Sequence, residues 1–168
     1  MSKNRVSRRQ FLSYTIMGVG GFMASGTIMP MLRFAVDPVL QKSGEGDFTA
    51  TPQRVDELTE TPVRVDYTIV DRQDGWYKSD ESYSAWVYKS GDRIVALSPV
   101  CKHLGCTVNW GGDKNHPDQF FCPCHAGRYE KNGKHVPGTP PIGPLDEYLV
   151  MEKDGYLYLG GTRPNTLV

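Results

Sequence analysis

From Phe48 onward, apolar and polar residues alternate in short runs broken by turn residues. Val63-x-Val65-x-Tyr67-x-Ile69 has a period of two, which sends alternate side chains to one face of a strand. Trp86-Val-Tyr88 and Ile94-Val-Ala-Leu97 flank Ser90-Gly91-Asp92. Tyr129-Glu-Lys and Lys134-His-Val flank Asn132-Gly133, and Leu149-Val-Met and Tyr156-Leu-Tyr-Leu159 flank Asp154-Gly155. Each is a hairpin signal, because Gly beside Asn or Asp accepts the positive φ of a tight turn. No segment after residue 47 shows a convincing 3.6-residue period. The pattern predicts an all-β head over residues 48–168, built as a sandwich-like base of stacked antiparallel sheets.

The N-terminal part reads differently. An uncharged run from Gln10 to Leu32 follows Lys3, Arg5, Arg8 and Arg9. About 22 helical residues span roughly 33 Å, enough for a bilayer core of about 30 Å. Residues 1–9 are thus expected to be a cytoplasmic basic segment and residues 10–34 a transmembrane anchor. The basic residues hold the N-terminus inside and leave the head on the outer face of the cell membrane. Ser7-Arg-Arg-Gln-Phe-Leu12 resembles a twin-arginine export signal. The other reading is a cleaved signal peptide, although no clear Ala-x-Ala site follows and the run exceeds a usual signal core. Residues 35–47, with Pro38, Gly44 and Gly46, are expected to form a hinge or a passive linker.

Charge sharpens this division. The 168 residues have zero formal net charge, yet residues 1–36 carry +5 and the remainder −5. No basic patch interleaved with aromatics is present, which argues against a nucleic-acid partner.

The candidate chemistry is concentrated in two stretches, Cys101-Lys-His-Leu-Gly-Cys106 and Cys122-Pro-Cys-His125. They hold all four cysteines and two of the four histidines. Each offers a Cys with a nearby His, and each has one further Cys. Two thiolates and two imidazoles are what a Rieske-type 2Fe–2S centre requires, with two Cys on one iron and two His on the other. A Cys₂His₂ zinc site accepts the same donors, though it has no use for two extra cysteines. Two plain disulfides with bystander histidines are the third reading. Elsewhere, His116 is expected to be solvated in a polar loop and His135 to sit on a strand. Trp76, Trp86 and Trp110 are expected to pack in the core or at its edge.

The two stretches resemble the ligand boxes of the Rieske iron–sulfur subunits of cytochrome bc-type complexes, usually Cys-Thr-His-Leu-Gly-Cys and Cys-Pro-Cys-His-Gly-Ser. The resemblance implies a Rieske-type antiparallel β-sandwich with an inserted cluster-binding subdomain at about 99–144. It implies one 2Fe–2S cluster held by Cys101, His103, Cys122 and His125, and a disulfide between Cys106 and Cys124. Val136-Pro-Gly-Thr-Pro-Pro-Ile-Gly-Pro144 resembles the stiff proline-rich loop that covers the cluster in this family. Leu104 then meets the quinone pocket of a cytochrome b subunit. His125, with His103, takes a proton as an electron leaves the quinol for a c-type cytochrome. The chain would be a redox subunit that does not act alone. A small Rieske subunit of another exported oxidase, such as an arsenite oxidase, shares these features.

One departure bears on the quinol. The chain reads Ala126-Gly127-Arg128-Tyr129 where the family usually has Gly-Ser-x-Tyr. The resemblance implies that Tyr129 donates a hydrogen bond to the sulfur of Cys101, whereas Gly127 lacks the hydroxyl that serves a bridging sulfide. A lost donor lowers the potential and favours menaquinol. Alternatively, Gly127 relaxes a tight turn and another donor compensates.

Overall fold

The computed structural model describes residues 6–40, 48–74 and 77–168. Lys3, Arg5 and Trp76 lie outside the described residues, as do positions 41–47 of the expected hinge. The chain divides into two compact units, an N-terminal one, Met1–Ser43, and a head, Gly44–Val168.

The N-terminal unit is one helix, α1 (Arg8–Leu40). Its start is fixed by a reciprocal pair of hydrogen bonds. The Gln10 amide donates to Oγ of Ser7 (3.2 Å), and the Ser7 amide donates to Oε1 of Gln10 (3.0 Å). This capping box satisfies two amides that a helix N-terminus leaves unpaired. Side chains such as Phe11, Phe22 and Phe34 are exposed in the isolated chain. Among the described residues, Arg8–Val36 is the one segment long and apolar enough to cross a membrane. The helix runs six residues past the expected end at 34, so positions 35–40 are helical and not linker. Pro38 falls inside it, because a proline removes one i→i−4 bond without necessarily ending the turn.

Among the described residues the head has nine strands: β1 (Thr49–Arg54), β2 (Val63–Asp74), β3 (Tyr77–Ser90), β4 (Arg93–Leu97), β5 (Asn109–Trp110), β6 (Phe120–Cys122), β7 (Gly127–Tyr129), β8 (Glu147–Lys153) and β9 (Tyr156–Arg163). Six form one antiparallel sheet in the order β1-β9-β8-β4-β3-β2. The sheet folds over until its edge strands β1 and β2 meet, making a near-barrel whose opposing halves are the layers of the base. The other three form a small sheet, β5-β6-β7. The all-β head expected from the alternation is present. The hairpins around Gly91 and Gly155 are β3–β4 and β8–β9, with φ of +62° and +76° at the two glycines. The third is shorter: beyond β7 only the bridge Tyr129–His135 forms.

β3 and β4 connect the base to the site. Residues 85–88 and 95–97 are buried without interruption. Ala85, Val87 and Ala96 face the barrel core with Val65, Leu157 and Leu159. Trp86, Tyr88, Val95 and Leu97 face a second core with Val108, Phe120, Tyr129 and Leu145. A strand buried on both faces reads as a continuous apolar run, which is why Ala85–Tyr88 does not alternate. Trp86 anchors the second core by donating from Nε1 to the carbonyl of Val108 (3.0 Å). Tyr88 is pushed up to about 12 by burial and by the charge of Glu147, and its hydroxyl donates to the carbonyl of Lys131 (2.9 Å).

Glu147 is a charged residue with only 2% exposure. Its carboxylate accepts from Arg93, from Nη2 of Arg163 (3.4 Å) and from Oγ1 of Thr166 (2.8 Å), holding the C-terminal segment to the sheet. Burial pushes its pKa up, but the bonds from Thr166 and Arg163 and the charges of both arginines outweigh it, so the net shift is downward. A depressed carboxyl pKa contributes stability above the unfolded value, and that stability is lost as pH falls through the folded value. Glu147→Gln should lower unfolding free energy by about 1–3 kcal/mol at neutral pH. Chemical denaturation across an acid series should show parent and variant converging at low pH. A gap that persisted through the carboxylate range would remove the charge of Glu147 from the account.

Candidate metal centre

The first box is a closed loop leaving β4. A bridge between Val100 and Thr107 shuts its base. The Cys101 amide donates to the Cys106 carbonyl (2.8 Å), and the Gly105 amide donates to the Cys101 carbonyl (3.0 Å). Gly105 takes φ of +78°, which lets the chain reverse there. Cys101 is thereby turned inward, 3% exposed, while His103 and Leu104 stand outward.

The second box is a β-hairpin. Cys122 ends β6 opposite Gly127 of β7, and Pro123–Ala126 makes the loop between them. Cys122 points inward at 3% exposure, and His125 outward. Burial, together with the neighbouring Cys101 thiol, raises the pKa of Cys122.

Folding brings the two loops together. The rings of His103 and His125 lie edge to face with centroids 4.9 Å apart. Cys106 and Cys124 form a disulfide, and its two sulfurs and that of Cys122 lie within 4.8 Å of one another. Cys101 and Cys122 are free thiols. The reading as two plain disulfides therefore does not hold.

Tyr129, fully buried, connects the loops from below. Its hydroxyl accepts from the Lys102 amide (2.8 Å) and donates to Sγ of Cys101 (3.2 Å). Burial and the bond to Cys101 raise its pKa. A neutral phenol is thus kept as a donor to the sulfur.

Three features escaped the sequence reading. Nζ of Lys102 pairs with Asp146 (2.6 Å) just before β8, tying the first box to the base. His116 is not simply solvated: its Nδ1 meets Asp113 (2.8 Å) and its Nε2 meets Nη1 of Arg128 (2.6 Å). The Asp113-x-x-His116 spacing was a signal for the first contact, but Arg128 lies 12 residues away on β7. Pro141 is buried against Gly127. Leu104 and Ile142 are exposed at 70% and 88%, so the first box and the proline-rich loop each present an apolar side chain to solvent.

Two buried thiols, two adjacent imidazoles at the surface and a hydroxyl aimed at one sulfur form a mixed donor set. Residues 52–149 match the family described as the Rieske [2Fe-2S] domain. The chain belongs to the Rieske family. Its cofactor is one 2Fe–2S cluster, and the donor chemistry here fits that group: the two boxes offer two buried free thiols and two adjacent imidazoles at the surface. The chain is 60% identical over 162 residues to the "Menaquinol:cytochrome c reductase iron-sulfur subunit" of Bacillus subtilis (strain 168), covering 96% of each. It is 59% identical to the protein of the same name from Geobacillus thermodenitrificans, over 97% of this chain and 96% of that one. The "Cytochrome b6-f complex iron-sulfur subunit" of Chlorobaculum thiosulfatiphilum is 33% identical over 84% of this chain and 68% of its own length.

Proposed function

We propose that this chain is the Rieske subunit of a respiratory quinol:cytochrome c reductase of the bc type, oxidising menaquinol. The carrying observation is the pair of exposed, adjacent imidazoles of His103 and His125, carried by the same two boxes as the buried thiols of Cys101 and Cys122. On this reading Cys101 and Cys122 would hold one iron of the cluster, and His103 and His125 the other. The similarity to two menaquinol:cytochrome c reductase subunits over nearly the whole chain supports the assignment.

When bound, the cluster supplies one-electron redox chemistry. The protein supplies the rest. The outer ring nitrogen of His125 accepts the quinol hydroxyl in a hydrogen bond and holds its proton. His103, beside it, is the second proton-carrying position. Leu104, next to His103, enters the quinone pocket of a cytochrome b subunit and excludes water there. Tyr129 holds a donor on the Cys101 sulfur. Gly127 offers none, and a missing donor worth about 1–2 kcal/mol between redox states lowers the potential by roughly 40–90 mV. A low potential suits menaquinol. Helix α1 anchors the chain in the cell membrane with the basic N-terminus in the cytoplasm and the head outside, exported through the signal at Arg8-Arg9. The hinge on which the head swings between cytochrome b and a c-type cytochrome begins only after α1 ends at Leu40. The subunit does not act alone.

The test uses the intact membrane complex. The chain should co-purify with a b-type haem protein, and a menaquinol analogue should reduce its cluster. The midpoint potential should be flat at low pH. It should fall by about 59 mV per pH unit for each proton coupled to the electron once the imidazoles of the oxidised state titrate. A molybdenum partner without b-type haem would overturn the assignment, and a potential independent of alkaline pH would remove both histidines as proton carriers.

A further inference from the structure

Gly127 and Pro141 meet where the second box turns beneath the proline-rich loop. Gly127 lies in β7 opposite Cys122 and is buried. A Cβ at this glycine would stand 2.9 Å from Cγ and 3.1 Å from Cδ of Pro141, and 3.5 Å from Cβ of Cys122. Carbon atoms sit comfortably at about 3.5–4.0 Å. The φ of Gly127 is not in the left-handed region, so the backbone does not demand glycine here. Space does. Pro141 cannot swing aside, because its ring closes onto its own main chain. The loop is also held at both ends. The Val136 amide donates to the Arg128 carbonyl of β7 (2.9 Å), and the amide of buried Leu145 donates to the Gly133 carbonyl (2.8 Å).

We infer that Pro141 is a positioning residue of the cluster site. Its ring fills the volume that any side chain at 127 requires, seats the proline-rich loop directly on Cys122 and Gly127, and keeps a hydroxyl donor out of this side of the site. Gly127 and Pro141 act as one unit, and the residue at 127 cannot gain a side chain while the ring stays in place. This deepens the proposed function and rests on it for the link to a low-potential quinol. The steric part stands on the contact alone.

The experiment compares Gly127→Ala, Gly127→Ser and Pro141→Ala, singly and as the two doubles, in the full-length holoprotein. Pro141→Ala deletes the two ring atoms that crowd position 127. Cluster lifetime is followed by visible absorbance under chelator challenge, and the midpoint potential by protein-film voltammetry. With Pro141 present, both substitutions at 127 should speed cluster loss several-fold. With Pro141→Ala, either should add little to that variant's own rate. In that background Ser should also give a higher potential than Ala, which isolates the hydroxyl from the added carbon. Equal penalties in both backgrounds, or no penalty in the parent, overturn the inference. If the Ser variants fail to assemble, the Ala variants decide the steric question. Coupled lifetimes with equal Ser and Ala potentials support the packing role of Pro141 and defeat the hydroxyl argument for menaquinol.

Discussion

Replacing Cys122 by Ala should abolish the low-temperature paramagnetic signal of the reduced protein, and replacing His125 by Ala should do the same. Each supplies one of the two protein donors proposed for its iron, and the surroundings offer no substitute. Cys101 beside Cys122 is itself a proposed ligand of the same iron, and the other nearby sulfurs belong to Cys106 and Cys124, which are bonded to each other. No further free thiol remains there among the described residues to take the place of Cys122. The ring beside His125 is His103, itself a proposed ligand of the same iron. His116 is the control. Asp113 and Arg128 occupy its two ring nitrogens, so His116→Ala should keep the signal. Paramagnetic resonance with nitrogen hyperfine analysis on membranes from each variant reads all three. An unchanged spectrum in Cys122→Ala or His125→Ala would strike that residue from the ligand set. Loss of the signal in His116→Ala would mean that the loop around it holds the site together.

Changing Cys106 and Cys124 together to Ser should leave all four proposed ligands in place but shorten the life of the cluster. The two cysteines are 18 residues apart. In the chain-entropy account, closing a loop of that size contributes about 3 kcal/mol by limiting the unfolded chain. The effect falls where it matters most, because the first box is closed by its own hydrogen bonds and the second is a hairpin. The disulfide joins the two covalently, and the Tyr129 hydroxyl adds its bond to Cys101 and the one it accepts from the Lys102 amide. Without the disulfide, the histidine rings lose the tie that keeps their loops side by side. Thermal unfolding should fall by several degrees, and visible absorbance under chelator should decay faster than in the parent. A double variant with the parent's lifetime and melting point would leave the disulfide without a supported role.

What could be read from the sequence was what short windows encode. The period of two and the Gly-containing turns specified strands and hairpins, because backbone geometry repeats every second residue whatever the rest of the chain does. The uncharged run after the arginines specified an apolar helix long enough to cross a bilayer. The residue types in the two boxes specified the donor chemistry, since thiols and imidazoles at close spacing have few other uses.

The tertiary structure decided what depends on contacts between distant segments. Residue types and local spacing left three uses for the cysteines open; folding bonded Cys106 to Cys124 and left Cys101 and Cys122 as buried free thiols. The chain path alone closed one six-stranded sheet into a near-barrel, since local alternation does not say which strands become edges. The antiparallel register of β6 and β7 put Tyr129 beneath Cys101 and turned Gly127 towards Pro141. The absent hydroxyl at 127 was visible in the sequence, but its physical reason lay 14 residues away, in a proline ring that occupies the space a side chain would need.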